Sequence, residues 1–189
     1  MAVKPIYNCY HPVLNNPTIP FENIDGEAIQ VVQDLFDTLK SISNGVGLAA
    51  NQIGINRSAL VIDLMQVKEY RSMKPLAMIN PVIEHFSDNI VEMEEGCLSV
   101  PDLYEGVNRP ESIVVSYYDV HQKHHREEVS GYLARVMQHE IDHLNGILFY
   151  QRFTPLKKTL TKNKLKKIQK GLLLPDYPFV TAEGELINP

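Results

Sequence analysis

Hydrophobic residues recur at helical spacing in three stretches of the chain, and each stretch predicts an amphipathic helix. The first helix is capped by Asp25 and extends to about Ser43, with an apolar face of Ile29, Val32, Leu35, Phe36 and Leu39. The second runs from about Ser130 to Leu144 and has Gly146 as its stop signal. The third covers about 155–171, and its apolar face is predicted to consist of Leu156, Leu160, Leu165, Ile168 and Leu172.

Between the first two helices the pattern changes to short runs rich in β-branched and aromatic residues, separated by Pro, Gly, Asn or Asp. Such runs predict strands, here at 58–63, 76–84, 89–94 and 112–120. Strands grouped between helices indicate an α+β fold, with mainly antiparallel sheets around the second helix. Because neither a repeat nor a linker interrupts the chain, residues 1–189 are predicted to form one domain, with 172–189 as an extended tail.

The composition narrows the class of protein. Of 189 residues, 44% are hydrophobic and 22% are charged, which suits a folded globular chain and excludes disorder as the main state. No apolar run approaches the roughly 18 residues of a membrane span, and the N-terminal sequence lacks the apolar segment of a secretory signal. Two cysteines, Cys9 and Cys97, are too few for a disulfide framework. We therefore expect a cytoplasmic protein that does not act in a membrane.

The net charge of −5 conceals a basic segment. Residues 157–170 contain seven lysines and no acid, which leaves 11 basic against 23 acidic residues elsewhere. This balance argues against DNA or a membrane surface as the partner of the whole chain. Two interpretations of the segment stay open: a solvated helix face, or a docking element for an anionic partner such as RNA.

The strongest local signal is His139-Glu140-Ile141-Asp142-His143 in the second predicted helix. Residues at i and i+4 lie on one helical face, so the imidazoles of His139 and His143 can bind one metal ion. Glu140 is then placed to act as general base toward water at that ion. A chance occurrence in an ordinary polar helix is the alternative.

A catalytic site of this kind needs a third protein ligand beside an open position. One metallopeptidase class would have a histidine where this chain has Phe149, and another would use a downstream glutamate, for which only Glu183 and Glu185 remain. Upstream, Cys97 follows a predicted strand and a glycine, which makes it a credible thiolate ligand. An inert buried cysteine is the alternative.

A further segment, residues 45–54, is rich in small residues that allow close backbone approach. Its Gln52 offers a neutral N–H donor for a developing oxyanion. The spacing does not match a dinucleotide-binding loop. Taken alone, the segment more often indicates a tight turn with a buried glutamine.

Together these three segments resemble the motifs of the peptide deformylase family, G-x-G-L-A-A-x-Q, E-G-C-L-S and Q-H-E-x-D-H. They correspond to residues 45–52, 95–99 and 138–143, in the family's order, and the resemblance covers about residues 1–170. It implies a metal-dependent hydrolase that removes the formyl group from the N-terminal formyl-methionine of nascent polypeptides and releases formate.

The resemblance also implies roles for individual residues. Cys97, His139 and His143 would bind one Fe²⁺ ion, for which Zn²⁺, Ni²⁺ or Co²⁺ can substitute, and Glu140 would be the general acid and base. Gln52 and the Leu98 backbone N–H would stabilise the oxyanion. Arg109 matches an arginine of the family and is expected to be structural. The methionine pocket would be lined by Val46, Gly47, Met93, Tyr132 and Val136.

Several positions fall outside the family pattern or outside the predicted site. Asn44, Asn51 and Asp102 replace a frequent acidic residue, a proline and a glycine, which affects the expected loop rigidity and substrate preference rather than the reaction. Three more histidines lie in a predicted polar hairpin and are expected to be solvated, not a second metal site: His121, His124 and His125.

Three other functions stay open on the sequence alone. An endopeptidase with the same His-Glu motif is disfavoured by Phe149. A hydrolase of another small N-acyl amide would have an identical metal centre. A non-catalytic ribosome-associated protein would use the basic segment 157–170, but a closed structural metal site needs four protein ligands. For a deformylase, the same segment suggests contact with the ribosome near the exit of nascent chains.

Overall fold

The computed structural model describes residues 3–189, in which three α-helices and ten strands follow one another. The helices are α1 (Gly26–Lys40), α2 (Gly131–Leu144) and α3 (Pro155–Gln169). The strands are β1 (Ile6–Tyr7), β2 (Gly47–Ala49), β3 (Ala59–Ile62), β4 (Leu76–Phe86), β5 (Ile90–Cys97), β6 (Val100–Pro110), β7 (Ser112–Tyr118), β8 (His124–Ser130), β9 (Phe179–Val180) and β10 (Leu186–Ile187). Across this described range, none of the helices has the length and apolar character of a membrane span.

The strands form three sheets in which nearly all pairings are antiparallel. The largest sheet has the order β2-β3-β4-β7-β8, the β5–β6 hairpin forms the second, and β1, β9 and β10 form the third. Within residues 3–189, β1 and β9 are the one pair of named strands that runs in parallel. The prediction of an α+β fold with mainly antiparallel sheets is confirmed.

Helix α1 begins where the sequence predicts it, because the Asp25 side chain accepts a hydrogen bond from the Glu27 N–H at 2.9 Å. The helix ends at Lys40 rather than at Ser43, since the Ser41 N–H and hydroxyl both bond the Thr38 carbonyl, at 3.1 and 2.7 Å. Of its predicted apolar face, Ile29 is exposed. The buried apolar side chains are Ala28, Val31, Val32, Leu35 and Leu39.

Helix α2 is enclosed by the fold, and every residue from 134 to 144 is buried. It packs against β2, β3, β7 and β8 of the largest sheet. After the helix, Gly146 has φ +72°, and a Cβ at this position would lie 2.9 Å from the Asn16 backbone. Both conformation and space therefore require glycine at the predicted stop.

Two long strands were not predicted from the sequence. β8 is a polar run at a sheet edge, and it forms because the hairpin with β7 pairs Tyr118 with His124 through Ser112 with Ser130. β6 contains Pro101 and Gly106, which lower its strand propensity, yet it pairs with β5 along its length. In both cases, pairing with the neighbouring strand stabilises a segment whose own strand propensity is low.

Helix α3 packs through a different face from the predicted one. Leu156, Leu160 and Leu172 are 68%, 70% and 67% exposed, whereas Ile168 and Thr161 are buried. The prediction that these three leucines belong to the buried apolar face is therefore wrong. Thr161 suits the buried face because its hydroxyl donates to the Lys157 carbonyl at 2.8 Å, so no polar group is left unbonded there.

The segment after α3 returns across the molecule. β9 pairs in parallel with β1, and β10 pairs back onto β9. Phe179 on β9 is fully enclosed in the same apolar cluster as Ile6 and α1. The predicted extended tail thus contains two short paired strands.

Candidate active site

A cleft of about 610 Å³ opens beside α2 and is lined by four parts of the chain. These are the loop that leads into β2, the β5–β6 hairpin, one face of α2, and the C-terminal residues 174–177. The first three carry the motifs singled out from the sequence. The fourth was not connected with the site by any sequence pattern.

Cys97, His139 and His143 come together beside this cleft, which Cys97 and His139 line. Their candidate ligand atoms all lie within 4.8 Å of one another, and Cys97 Sγ is 3.2 Å from His143 Nε2. Cys97 ends β5, while the two histidines are one helical turn apart on α2. The i,i+4 argument from sequence therefore holds in three dimensions, with a thiol from another element as the third donor.

Glu95 orients one of these histidines. Its Oε2 lies 2.9 Å from His139 Nδ1, so the Nδ1 proton points to the carboxylate and Nε2 is left for a metal ion. Glu95 also accepts bonds from Arg109 at 2.7 and 2.9 Å and from Arg135 at 2.8 Å. Burial by itself would raise the pKa of the Glu95 carboxyl, but the bonds from Arg109 and His139 outweigh it and hold the pKa well below its usual range.

A second carboxylate ties the same network to α2. Asp142, inside the His-Glu motif, accepts hydrogen bonds from Arg109 and from Arg152. Arg109 is 2% exposed and bridges Glu95 and Asp142, which agrees with its expected structural role. The sequence predicted no role for Glu95 or Asp142, although they lie inside the motifs at 95–99 and 138–143.

Glu140 lies at the floor of the cleft and is 4% exposed. Its Oε2 has no hydrogen-bond partner among the residues that the structure describes. Burial raises the pKa of this carboxyl to about 7, although the charge of His139 acts in the opposite direction. A carboxyl with this pKa exchanges protons readily near neutral pH, which general acid–base catalysis requires.

His143 is buried more deeply than His139. Desolvation lowers the pKa of His143 well below its ordinary value, so the ring is neutral at physiological pH. A neutral imidazole is the form that binds a metal ion.

Gln52 faces the cysteine motif. Its Oε1 accepts the Ala49 N–H at 2.9 Å, which closes the loop that follows β2. Its Nε2 donates to Ser99 Oγ at 3.2 Å and lies 3.7 Å from Cys97 Sγ. Leu98 and Ser99 are the two turn residues between β5 and β6, so the Leu98 peptide lies beside the metal-ligand group.

The structure brings four of the five residues predicted for the methionine pocket to the cleft: Val46, Gly47, Tyr132 and Val136. Met93 does not line the described cleft; it lies on β5 opposite Val107. Gly47 is in close contact with Glu140, since a Cβ at this position would lie 2.6 Å from Glu140 Oε1.

Two residues that depart from the family pattern differ in what the structure shows for them: one makes a buried hydrogen bond and the other has a positive φ. The Asn51 side chain donates to the His143 backbone carbonyl and so links the loop after β2 to α2. Asp102 has φ +60°, in the left-handed region where glycine is the favoured residue.

Three further histidines lie at or near the tip of the β7–β8 hairpin. His121 and His124 are exposed at the β7–β8 hairpin, and His125 Nε2 lies 2.8 Å from Asp119 Oδ2. Within residues 3–189, Cys97, His139 and His143 are the one group of three or more His, Cys, Asp or Glu donors close enough to share a metal ion.

The donor set fits a divalent transition-metal ion. One thiolate and two imidazoles suit borderline-soft ions, and three protein ligands leave a position open for water or substrate. The unbonded oxygen of Glu140 in the same cleft is the proton acceptor that such an open position needs. The fold and the site therefore define a hydrolytic metal centre.

Comparison with known proteins identifies the family. The family model described as polypeptide deformylase matches residues 3–159. A peptide deformylase of Agrobacterium fabrum is 41% identical over 167 residues, which cover 88% of this chain and 96% of that protein. The chain belongs to the polypeptide deformylase family.

Solved structures agree with this assignment. A peptide deformylase from Legionella pneumophila superposes with a TM-score of 0.78 at 36% identity, over 90% of this chain and 98% of the other. A peptide deformylase from Synechococcus elongatus, in complex with actinonin, gives a TM-score of 0.77 at 37% identity, over 90% and 89%.

Proposed function

We propose that this chain hydrolyses the formyl group from the N-terminal formyl-methionine of nascent polypeptides and releases formate. One observation carries the proposal: the buried carboxyl of Glu140, with an unbonded oxygen, lines the cleft beside which Cys97, His139 and His143 converge. Membership of the deformylase family supplies the substrate class.

The metal ion would be held by Cys97 Sγ and by the Nε2 atoms of His139 and His143. When bound, it supplies Lewis acidity, which lowers the pKa of water in the site and polarises the formyl carbonyl. We propose Fe²⁺ as the native ion, with Zn²⁺, Ni²⁺ and Co²⁺ as substitutes, because the mixed sulfur and nitrogen donor set suits all four.

The chain's own residues perform the proton transfers. Glu140 takes a proton from the attacking water, whose oxygen adds to the formyl carbon. Gln52 Nε2 and the Leu98 N–H donate to the oxygen on which negative charge develops. Glu140 then delivers its proton to the amide nitrogen, the C–N bond breaks, and formate leaves the new amino terminus.

The apolar side of the cleft accommodates the methionine side chain. Val46, Tyr132 and Val136 supply the apolar surface that a thioether chain needs, and all three pack in or against the cluster around β3 and α2. Met93 stays a prediction for this pocket.

The test is formate release from formyl-Met-Ala-Ala by protein loaded anaerobically with Fe²⁺, beside acetyl-Met-Ala-Ala. Turnover of the formyl peptide alone supports the proposal, and Zn²⁺, Ni²⁺ and Co²⁺ loading compares the metals. Turnover of the acetyl peptide with little formyl activity would instead assign the chain to another N-acyl amide hydrolase. Cleavage of internal peptide bonds would indicate an endopeptidase.

We infer that the whole chain, including its C-terminal segment, acts as one catalytic domain, because β9 pairs with β1 and residues 174–177 line the cleft. A reducing cytoplasm is the compartment that suits it, since Cys97 must be a free thiol to bind a metal and both cysteines are free.

Helix α3 is the surface that we propose for ribosome contact. Its exposed residues include Leu156, Lys158, Leu160, Lys162, Lys166 and Lys167. Lys157 is already engaged, with Nζ 3.0 Å from Glu92 and 2.7 Å from the Gly106 carbonyl. Changing the four exposed lysines to Gln should reduce co-sedimentation with ribosomes at low salt and leave turnover of the tripeptide unchanged. Undiminished co-sedimentation would reject the contact.

A further inference from the structure

The C-terminal segment contributes a wall of the cleft that the family match does not include. The polypeptide deformylase model matches residues 3–159, whereas residues 174–177 line the cleft together with the motif residues. These four residues are therefore part of the site in this chain without being part of the matched family pattern.

The segment is held at both ends. On its N-terminal side, the Gly171 and Leu172 N–H groups bond the Ile168 and Lys167 carbonyls at the end of α3, at 3.0 and 2.9 Å. On its C-terminal side, the Pro178 carbonyl accepts the Ile6 N–H at 2.9 Å, and Phe179 pairs with Ile6. The segment is thus anchored to α3 on one side and to β1 on the other.

Within this wall, Tyr177 reaches the cysteine motif. Its hydroxyl donates to the Leu98 backbone carbonyl at 2.8 Å. Its ring packs against the buried Phe179 ring, with a centroid distance of 6.4 Å and an angle of 67° between the planes. The hydroxyl is thus aimed by a ring that the core holds in place.

The Leu98–Ser99 turn is held from three directions. The Ser99 carbonyl accepts the Cys9 N–H at 2.9 Å, and Ser99 Oγ accepts from Gln52 at 3.2 Å. Tyr177 holds the Leu98 backbone carbonyl, while the Leu98 side chain packs against the apolar cluster around α1. A two-residue turn has few internal bonds, so outside contacts of this kind determine how its peptide groups point.

We propose that Tyr177 is a positioning residue for deformylation: its hydroxyl fixes the Leu98 carbonyl, and with it the Leu98–Ser99 peptide. This restricts rotation about the Leu98 backbone and so keeps the Leu98 N–H, which belongs to the preceding peptide, directed at the oxyanion. The inference rests on the proposed function, in which that N–H stabilises developing charge. Since the charge develops only in the transition state, loss of alignment lowers kcat and leaves KM nearly unchanged.

The experiment compares Tyr177→Phe with Tyr118→Phe, which removes a hydroxyl from an exposed ring on β7, away from the cleft. Both are measured on metal-loaded protein with formyl-Met-Ala-Ala. For Tyr177→Phe we expect kcat to fall about tenfold, the effect of one misaligned hydrogen bond, with KM within about twofold. Backbone amide NMR of the Zn²⁺-loaded variants should show shifted Leu98 and Ser99 signals in Tyr177→Phe and not in Tyr118→Phe.

An unchanged kcat in Tyr177→Phe overturns the proposal, as does a loss of activity that only matches a loss of folded protein in urea unfolding. Neither result would contradict the proposed deformylase function, provided that the unmodified chain hydrolyses the formyl peptide. If the unmodified chain binds metal and releases no formate, the proposed function itself fails, and the NMR comparison still reports whether Tyr177 orients the turn.

Discussion

Gly47 and Glu140 are in direct contact across the cleft: a Cβ on Gly47 would lie 2.6 Å from Glu140 Oε1 and 2.9 Å from its Cγ. β2 therefore approaches α2 as closely as a glycine allows, and the backbone of Gly47 limits where the Glu140 carboxyl can lie. Glycine at the start of β2 is therefore required by the close packing of β2 on α2, and it also affects the position of the Glu140 carboxyl.

Replacing Gly47 with Ala should displace the Glu140 carboxyl by several tenths of an ångström or more. We expect kcat to fall by about 10²-fold, because small misplacements of a catalytic group have effects of this size. Gly26→Ala is the control, since a Cβ at Gly26 meets nothing within 4 Å. Wild-type turnover in Gly47→Ala, with Gly26→Ala also active, would show that Glu140 tolerates the displacement.

Glu140→Gln should separate catalysis from metal binding. We expect turnover to fall by about 10²- to 10⁴-fold, the usual contribution of a general base, while metal content stays near one ion per chain. Tripeptide kinetics and metal analysis of the same preparation measure both. Comparable losses of metal and activity would instead make Glu140 a part of the binding site.

The same substitution should stabilise the metal-free protein at high pH. Folding raises the pKa of Glu140 from 4.5 to about 7, so the folded state holds this proton more tightly and loses stability as the pH rises between those values. Glu140→Gln removes that loss, and its gain in unfolding free energy should be about 2 kcal/mol larger at pH 8 than at pH 5. Urea unfolding in the presence of a chelator measures it; a pH-independent difference would contradict the raised pKa.

Unlike Glu140, Glu95 has a pKa that its hydrogen-bond partners lower. Glu95→Gln should therefore reduce both the stability of the fold and the affinity for the metal ion. The change leaves the buried Arg135 without a carboxylate partner and Arg109 with Asp142 alone, which should cost about 3 kcal/mol of unfolding free energy. It also loosens the His139 ring, so metal affinity should fall by about 10- to 100-fold in chelator competition. The exposed neighbour Glu94 provides the control, as Glu94→Gln should change neither quantity.

The two cysteines should differ in reactivity. Cys9 is fully buried and burial raises the pKa of its thiol, whereas Cys97 is partly exposed in the cleft. In metal-free folded protein, a thiol reagent should label Cys97 alone; unfolding should release the second thiol. Adding Zn²⁺ should protect Cys97. Equal labelling with and without the ion would remove Cys97 from the ligand set.

The sequence by itself indicated the candidate site. The His-Glu-Ile-Asp-His run sets two imidazoles on one helical face through helix periodicity alone, and three short motifs indicated the family. It also determined the α+β class, because the helical and strand patterns that specify the class are local.

The tertiary structure decided what depends on distant partners. β8 is a strand because β7 pairs with it, and the buried face of α3 includes Thr161 rather than Leu160 because packing and a local hydrogen bond decide its orientation. The tail became part of the cleft because β9 pairs with β1, which lies more than 170 residues earlier in the chain. Such long-range pairings leave no periodic signal in the chain, so the contact between Tyr177 and Leu98 appears only in the folded molecule.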